Sequence, residues 1–147
     1  MNDELELAGL TLFDRQEVSH ISARDFRRLL ATAVAARDEL RVNGQGVLPD
    51  LSEIELTIID DPAIARVHDE FFDDPTPTDV ITFDHGEILV SIETAGRQAK
   101  KFDSDLLREL ALYLIHGLAH LAGYDDQDEE DRAEMDQVQQ DLLERLW

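Results

Sequence analysis

From Leu106 to about Ala122 the chain is strongly apolar, and inside that stretch, four residues apart, stand His116 and His120. Leu106, Leu107, Leu110, Leu114, Ile115, Leu118 and Leu121 leave this segment one stable form, a helix with its apolar side buried in a core. It is too short to cross a bilayer, which takes about 20 apolar residues. Asp103 or Ser104 is the expected N-cap, and Gly123 sits where a left-handed residue ends a helix. Positions i and i+4 lie one above the other on a helix face, so both imidazoles can reach one cation. An imidazole buried without a partner costs free energy, and a metal ion is a partner that serves both rings.

Zinc in a catalytic site takes three protein ligands plus a water, so the pair leaves the shell unfinished. Directly after Gly123, the run Tyr124-Asp125-Asp126 can bring a carboxylate back over the helix end. The spacing invites comparison with H-E-x-x-H metalloproteases, whose glutamate is the general base. Here that position is Gly117, which argues against a protease of that type.

The remainder of the chain supplies a sheet. Leu5, Leu7, Leu10 and Leu12, spaced at twos around Gly9, predict one strand or a bulged pair of short ones. Ser22, followed three residues later by Asp25, caps a helix of about five turns carrying Phe26, Leu29, Leu30, Ala33, Val34 and Leu40. Ile54, Leu56 and Ile58 alternate with polar residues in a strand, and Pro62 at a first helical position starts a short helix to Phe71. Val80–Phe83 and Ile88–Val90 flank Asp84-His85-Gly86 as an antiparallel hairpin. Ile92 to Lys101 reads as helix, and from Glu129 the stripe Met135, Val138, Leu142 and Leu146 predicts an amphipathic helix. The expected order, β-α-β-α-β-β-α-α-α, is an α+β fold: a mixed, partly parallel sheet of roughly four strands covered by about five helices, one a metal-binding helix of zincin type.

At 147 residues, 43% hydrophobic, with no internal repeat or linker, one domain over residues 1–147 is expected. The chain has no cysteine, which excludes disulfides, thiolate zinc sites and thiol catalysis. The first residues, Met1-Asn2-Asp3-Glu4, are acidic where a secretory signal is basic, so a cytoplasmic protein without a membrane segment is expected. The net charge of -21, from 34 acidic and 13 basic residues, is a solvating surface that repels nucleic acid at long range.

The run from His116, H-G-L-A-H-L-A-G-Y-D-D, resembles the H-G-x-x-H-L-x-G-Y-D-H signature of the YbeY-type endoribonucleases. Thr78–Phe83, T-D-V-I-T-F, is similar to the family's T-D-V-L-S-F strand, and Gly86–Ser91, G-E-I-L-V-S, to its G-D-I-x-I-S strand. Met135 falls at the family's distance beyond the metal signature, so the resemblance runs from about Thr57 to Met135.

This resemblance implies a metal-dependent single-strand endoribonuclease of 16S rRNA maturation and ribosome biogenesis, in which metal-activated water attacks a phosphodiester. It implies ligation by His116, His120 and the residue in the third-ligand position, here Asp126 in place of histidine. Aspartate is a good zinc ligand, so one Zn²⁺ remains the first expectation; the carboxylate lowers the site's charge and shifts preference toward Mn²⁺ or Mg²⁺. Asp125 and Glu109 are the general-base candidates, and Asp125 is also placed to orient a histidine. Where many members carry an arginine, this chain has Phe72; His68 and His85 are the nearby polar candidates. The implied partners are RNA, specifically rRNA, and ribosomal proteins, with no DNA and no membrane. Two rivals stand beside this reading: a metallohydrolase of another substrate, and a non-catalytic, metal-stabilised protein bound to the ribosome, for which a basic ribosomal protein would suit so acidic a surface.

Overall fold

The computed structural model describes residues 3–43 and 45–147. The leucines at twos form two strands, β1 (Glu4–Leu7) and β2 (Leu10–Asp14), paired antiparallel with Leu7 opposite Leu10. Ala8 and Gly9 both take positive φ, 52° and 86°, the geometry of a two-residue hairpin turn. A side chain at position 9 would also meet the Ser52 carbonyl oxygen at 2.6 Å, so the turn needs glycine on two grounds. This turn is why the sheet has five strands, where roughly four were expected.

Ser22 Oγ accepts from Asp25 N at 3.1 Å and starts α1 (Ala23–Asn43), whose Phe26, Leu29, Leu30, Ala33 and Leu40 are buried as the periodicity predicts. A short 3-10 turn at Leu48–Asp50 leads into β3 (Ile54–Ile59). In α2 (Asp61–Phe72) the expected boundary moves by one residue: Asp60 is the N-cap, its Oδ1 accepting from Ala63 N at 2.9 Å, and Asp61 precedes Pro62. Proline is tolerated there because the first four helical N–H groups lack intrahelical acceptors in any case.

The strands β4 (Val80–Phe83) and β5 (Glu87–Ser91) form the expected antiparallel hairpin, followed by α3 (Ile92–Lys101). Asp103 and Ser104, expected to cap the next helix, instead terminate α3. Asp103 takes φ 52° and Ser104 N donates to Ala99 O at 2.8 Å, the bonding of a left-handed helix end. The N-cap of α4 (Leu106–Leu121) is therefore Asp105, whose Oδ1 accepts from Arg108 N at 2.8 Å. The last helix is α5 (Glu129–Leu146), capped by Asp128.

The strand order is β1-β2-β3-β5-β4, with β2, β3 and β5 parallel and the two edge pairs antiparallel. Alternation divides the sheet into two faces. Leu10, Leu12, Ile54, Leu56, Ile58, Ile88 and Val90 enter the main core with α1, α4 and Met135, Leu142 and Leu143 of α5. Ile59, Ile81 and Leu89 face the other way and are covered by Ile64, Ala63 and Val67 of α2. Helix α4 thus lies in the main core beside the edge strand β4, and α2 ends on the far side of that edge. Among the described residues no helix is long and apolar enough to cross a membrane.

Candidate metal centre

His116 and His120 stand on the side of α4 that is not packed into the core, each about a quarter exposed. Their rings meet edge to face, with centroids 4.6 Å apart. The helix ends in a well-formed left-handed motif: Gly123 has φ 104°, Gly123 N donates to His120 O at 3.0 Å, and Tyr124 N donates to Ala119 O at 3.0 Å. From outside, Gln45 N and Gly46 N both donate to Ala122 O at 2.8 Å. No side chain fits at position 46, where a Cβ would stand 2.3 Å from Leu121 O. The turn is therefore held on both sides, and it sends the chain back across the open face of the helix.

That return brings Asp126 to the histidines. Its Oδ2 lies 3.9 Å from His116 Nε2 and 3.8 Å from His120 Nε2, and one donor atom from each of the three residues lies within 4.8 Å of the others. Metal bonds of about 2.0–2.2 Å at tetrahedral angles place donors roughly 3.3–3.5 Å apart, so Asp126 stands a few tenths of an ångström farther from each ring than in a zinc shell. The hydrogen bonds behind the rings decide the fit. His116 Nδ1 faces Gln139 Oε1 at 2.9 Å and His120 Nδ1 faces Tyr124 O at 3.1 Å. Both acceptors require a proton on Nδ1, which leaves the two Nε2 lone pairs aimed at Asp126. Burial, and next the neighbouring His116, hold the His120 pKa below its ordinary value, favouring the neutral ring a metal needs. Two neutral imidazoles and a carboxylate are thus a donor set that fits a divalent cation.

The other expected residues fall in different places. Asp125 lines the cleft, but its Oδ1 accepts from Asp126 N at 2.7 Å, so the rings are oriented by Gln139 and the Tyr124 carbonyl and not by Asp125. Glu109 lies two turns before His116, about 10 Å along the axis, and is not among the residues lining the cleft. Burial, with the charge of Asp79 adding to it, pushes its carboxyl up against the opposing pull of Tyr113. The Tyr113 hydroxyl is pushed up in turn by burial, Asp79 and Glu109. Glu109 lies near enough to act on that hydroxyl without forming a well-aligned hydrogen bond to it. His68 does line the cleft, its Nδ1 2.8 Å from Thr76 O. His85 does not; its side chain is 70% exposed and stacks on Phe83.

Two contributors, Gln139 and Arg132, were not singled out in advance, and the strand β4, expected from its motif, was given no place at the site. Gln139 is a buried polar residue in the apolar stripe of α5, one turn after Met135, and that misplacement is a readable signal. Arg132 Nη2 donates to Asp126 O at 3.2 Å, and β4 supplies the opposite wall with Val80 and Thr82. Asp79, Asp84, Asp125 and Asp126 all line the cleft, and among the described residues no lysine or arginine does.

Gly117 faces inward. A Cβ there would stand 2.6 and 2.8 Å from Ile88 Cγ2 and Cδ1, so the place of the metalloprotease glutamate is filled by the sheet.

The family model described as Endoribonuclease YbeY matches residues 11–147. A curated relative of that name from Myxococcus xanthus is 34% identical over 141 residues, covering 86% of this chain and 46% of the relative. One from Chlamydia trachomatis is 40% identical over 103 residues, 61% of this chain and 63% of its own length, and one from Pelotomaculum thermopropionicum is 32% identical over 127 residues, 76% and 82%. The chain thus spans less than two thirds of the length of the first two relatives. The solution structure of a Thermotoga maritima protein matches with a TM-score of 0.60 at 23% identity, over 92% of this chain and 89% of that one, a likeness of fold. With a metal signature on α4, an α+β fold of five helices on a mixed five-stranded sheet and a family match from residue 11 to residue 147, the chain belongs to the YbeY endoribonuclease family.

Proposed function

We propose that residues 1–147 act as a single metal-dependent hydrolase domain that cuts single-stranded RNA, in the maturation of 16S rRNA, with one Zn²⁺ held by His116, His120 and Asp126. The observation that carries this reading is the convergence of two Nδ1-tethered imidazoles on the Asp126 carboxylate, 3.9 and 3.8 Å away. The relatives' shared name supports the reaction, and the donor set supports the ion, with Mn²⁺ or Mg²⁺ as substitutes favoured by the carboxylate. Ribosomal proteins as further partners and a cytoplasmic setting belong to the same reading.

A divalent cation in such a site supplies Lewis acidity toward a phosphoryl oxygen and lowers the pKa of water. The chain's residues do the rest. Gln139 and the Tyr124 carbonyl hold the rings by Nδ1, which leaves both Nε2 atoms free on the Asp126 side, where they would bind the ion. Asp126, as the third ligand, would leave the site one unit of charge less positive than three imidazoles would. Of the two general-base candidates, Asp125 is the one that lines the cleft, and it would have to turn off the Asp126 N–H to take a proton there. Glu109, two turns away, would act only through an intervening group.

A second reading has its own observation. Four carboxylates lining the cleft, with no lysine or arginine lining it among the described residues, suit a protein that keeps its metal for stability and binds a basic ribosomal protein without cutting RNA. The test is to strip the protein with a chelator, return Zn²⁺, Mn²⁺ or Mg²⁺ in steps with elemental analysis, and follow cleavage of an unpaired RNA. Cleavage should return with occupancy and be lost in His116→Ala together with the metal. Cleavage that survives in metal-free His116→Ala would overturn the proposed mechanism; metal that raises the melting temperature without any cleavage would favour the second reading.

A further inference from the structure

We propose that Phe72 is a stacking platform for one unpaired base of the RNA, beside the metal site; the inference rests on the nuclease reading above. His68 and Phe72, one turn apart at the end of α2, both line the cleft that holds His116, His120 and Asp126. The Phe72 ring leans on His68, with centroids 5.8 Å apart at 56°, yet Phe72 is 54% exposed. Its neighbour Phe71 packs edge-on against Phe83 at 5.0 Å, so of the two phenylalanines Phe72 is the one presented to the cleft.

The backing of the ring is preorganised. His68 Nδ1 pairs with Thr76 O at 2.8 Å, Asp73 ends the helix with φ 56°, and Asp74 Oδ1 accepts from Thr76 Oγ1 at 2.6 Å and Thr76 N at 3.0 Å. Phe71 and Phe102 are exposed to a similar degree, so exposure alone does not mark Phe72; its place does, since of these three it is the ring that lines the cleft of the two histidines and Asp126.

Charge selects the ligand's contact mode. The cleft offers a polynucleotide four carboxylates and, among the described residues, no lysine or arginine, so apart from the metal no fixed positive charge lining it grips phosphate. Affinity must then come from uncharged surface, and stacking of a base on an aromatic ring is tolerant of sequence and worth roughly 5- to 150-fold in affinity per base. Base faces are accessible only in unpaired RNA, so the same ring also selects single strands over duplex.

The experiment uses the zinc-loaded chain and a short unpaired RNA, with Phe72→Ala, Phe72→Leu and Phe72→Trp. Phe72→Ala and Phe72→Leu should raise KM roughly 5- to 150-fold, with a much smaller change in kcat, while Phe72→Trp keeps KM near wild type. Zinc content and melting temperature should not change. An oligomer made abasic at successive positions should lose the same factor at one position in the wild type and lose nothing further there in Phe72→Ala. An unchanged KM in Phe72→Ala, or Phe72→Leu equal to wild type, would overturn the proposal alone. A zinc-loaded wild type that neither binds nor cuts the RNA would bring down the nuclease reading and this inference together.

Discussion

Gln139 of α5 holds His116 of α4 by a 2.9 Å contact between its Oε1 and the imidazole Nδ1, and the direction of that amide is fixed. The Gln139 Nε2 donates to Asp136 Oδ1 at 3.2 Å, which turns the carbonyl oxygen, not the amino group, toward the ring. A residue 23 positions after the candidate ligand therefore sets its tautomer.

Removing that acceptor should weaken metal binding more than it weakens the fold. Gln139→Leu places an apolar group of similar size among Met135, Leu142 and Leu143, so the metal-free melting temperature should move little. The His116 ring loses its anchor, and zinc affinity should fall about 10- to 100-fold. A chelator-competition titration measures it; an affinity equal to wild type would show that Gln139 only fills space.

Gly117 makes room for Ile88 at the contact of α4 with the sheet. Alanine favours a helix by about 1 kcal/mol over glycine, but overpacking a core costs about 1–3 kcal/mol. Ile88 is fully buried, and the clash involves its Cγ2 and Cδ1, so the packing cost should win. Gly117→Ala should lower the melting temperature by a few degrees, and should become neutral or stabilising in an Ile88→Ala background. An equal effect in both backgrounds would mean that the contact is not the cause.

Glu109 gives a pH-dependent stability. Burial first, and then Asp79 and Asp105, push its carboxyl above 4.5, while Tyr113 and Arg108 oppose the shift. The native state therefore keeps a proton that the unfolded chain releases near pH 4.5. Stability falls as pH rises from 4.5 through the folded value and the cost is constant above it. Glu109→Gln, which cannot ionise, should be the more stable protein at neutral pH, with its advantage vanishing on acidification to 4.5. Melting curves of the metal-free chains from acid to neutral pH check this, and an advantage that persists in acid would exclude the carboxyl's ionisation as its source.

What could be read in advance was what local periodicity and short motifs encode. The i, i+4 histidines, the Ser22 cap, the hairpin at Gly86 and the span of α3 each depend on residues within a turn or two of one another. What could not be read depends on partners distant in sequence or on competition between neighbours. Gln139 reaches His116 only because α5 folds back along α4, and Gly46 matters because its loop crosses the end of that helix. Asp103 looks like a cap until the preceding helix is seen to need a left-handed residue there. Arg132 has no motif at all: only after Asp128 starts α5 does its guanidinium reach Asp126 O.

Salt should act on this protein in the direction opposite to its usual effect on nucleic-acid binding. A protein that neutralises 6–10 phosphates loses about 10³–10⁵ in affinity between roughly 50 and 200 mM salt, because the counterions released on binding gain less entropy in a more concentrated salt solution. Here the cleft is lined by four aspartates and, among the described residues, by no lysine or arginine, and the whole chain carries a net charge of -21. Added salt screens the repulsion between that surface and RNA, with a Debye length of about 10 Å at 0.1 M. The KM for an unpaired RNA should therefore stay level or fall as potassium chloride rises, with zinc occupancy verified at each concentration so that loss of metal is not mistaken for loss of RNA. A steep rise in KM at constant occupancy would mean that arginines outside the cleft, such as Arg66 or Arg132, grip the backbone, and that uncharged stacking is not the main source of affinity.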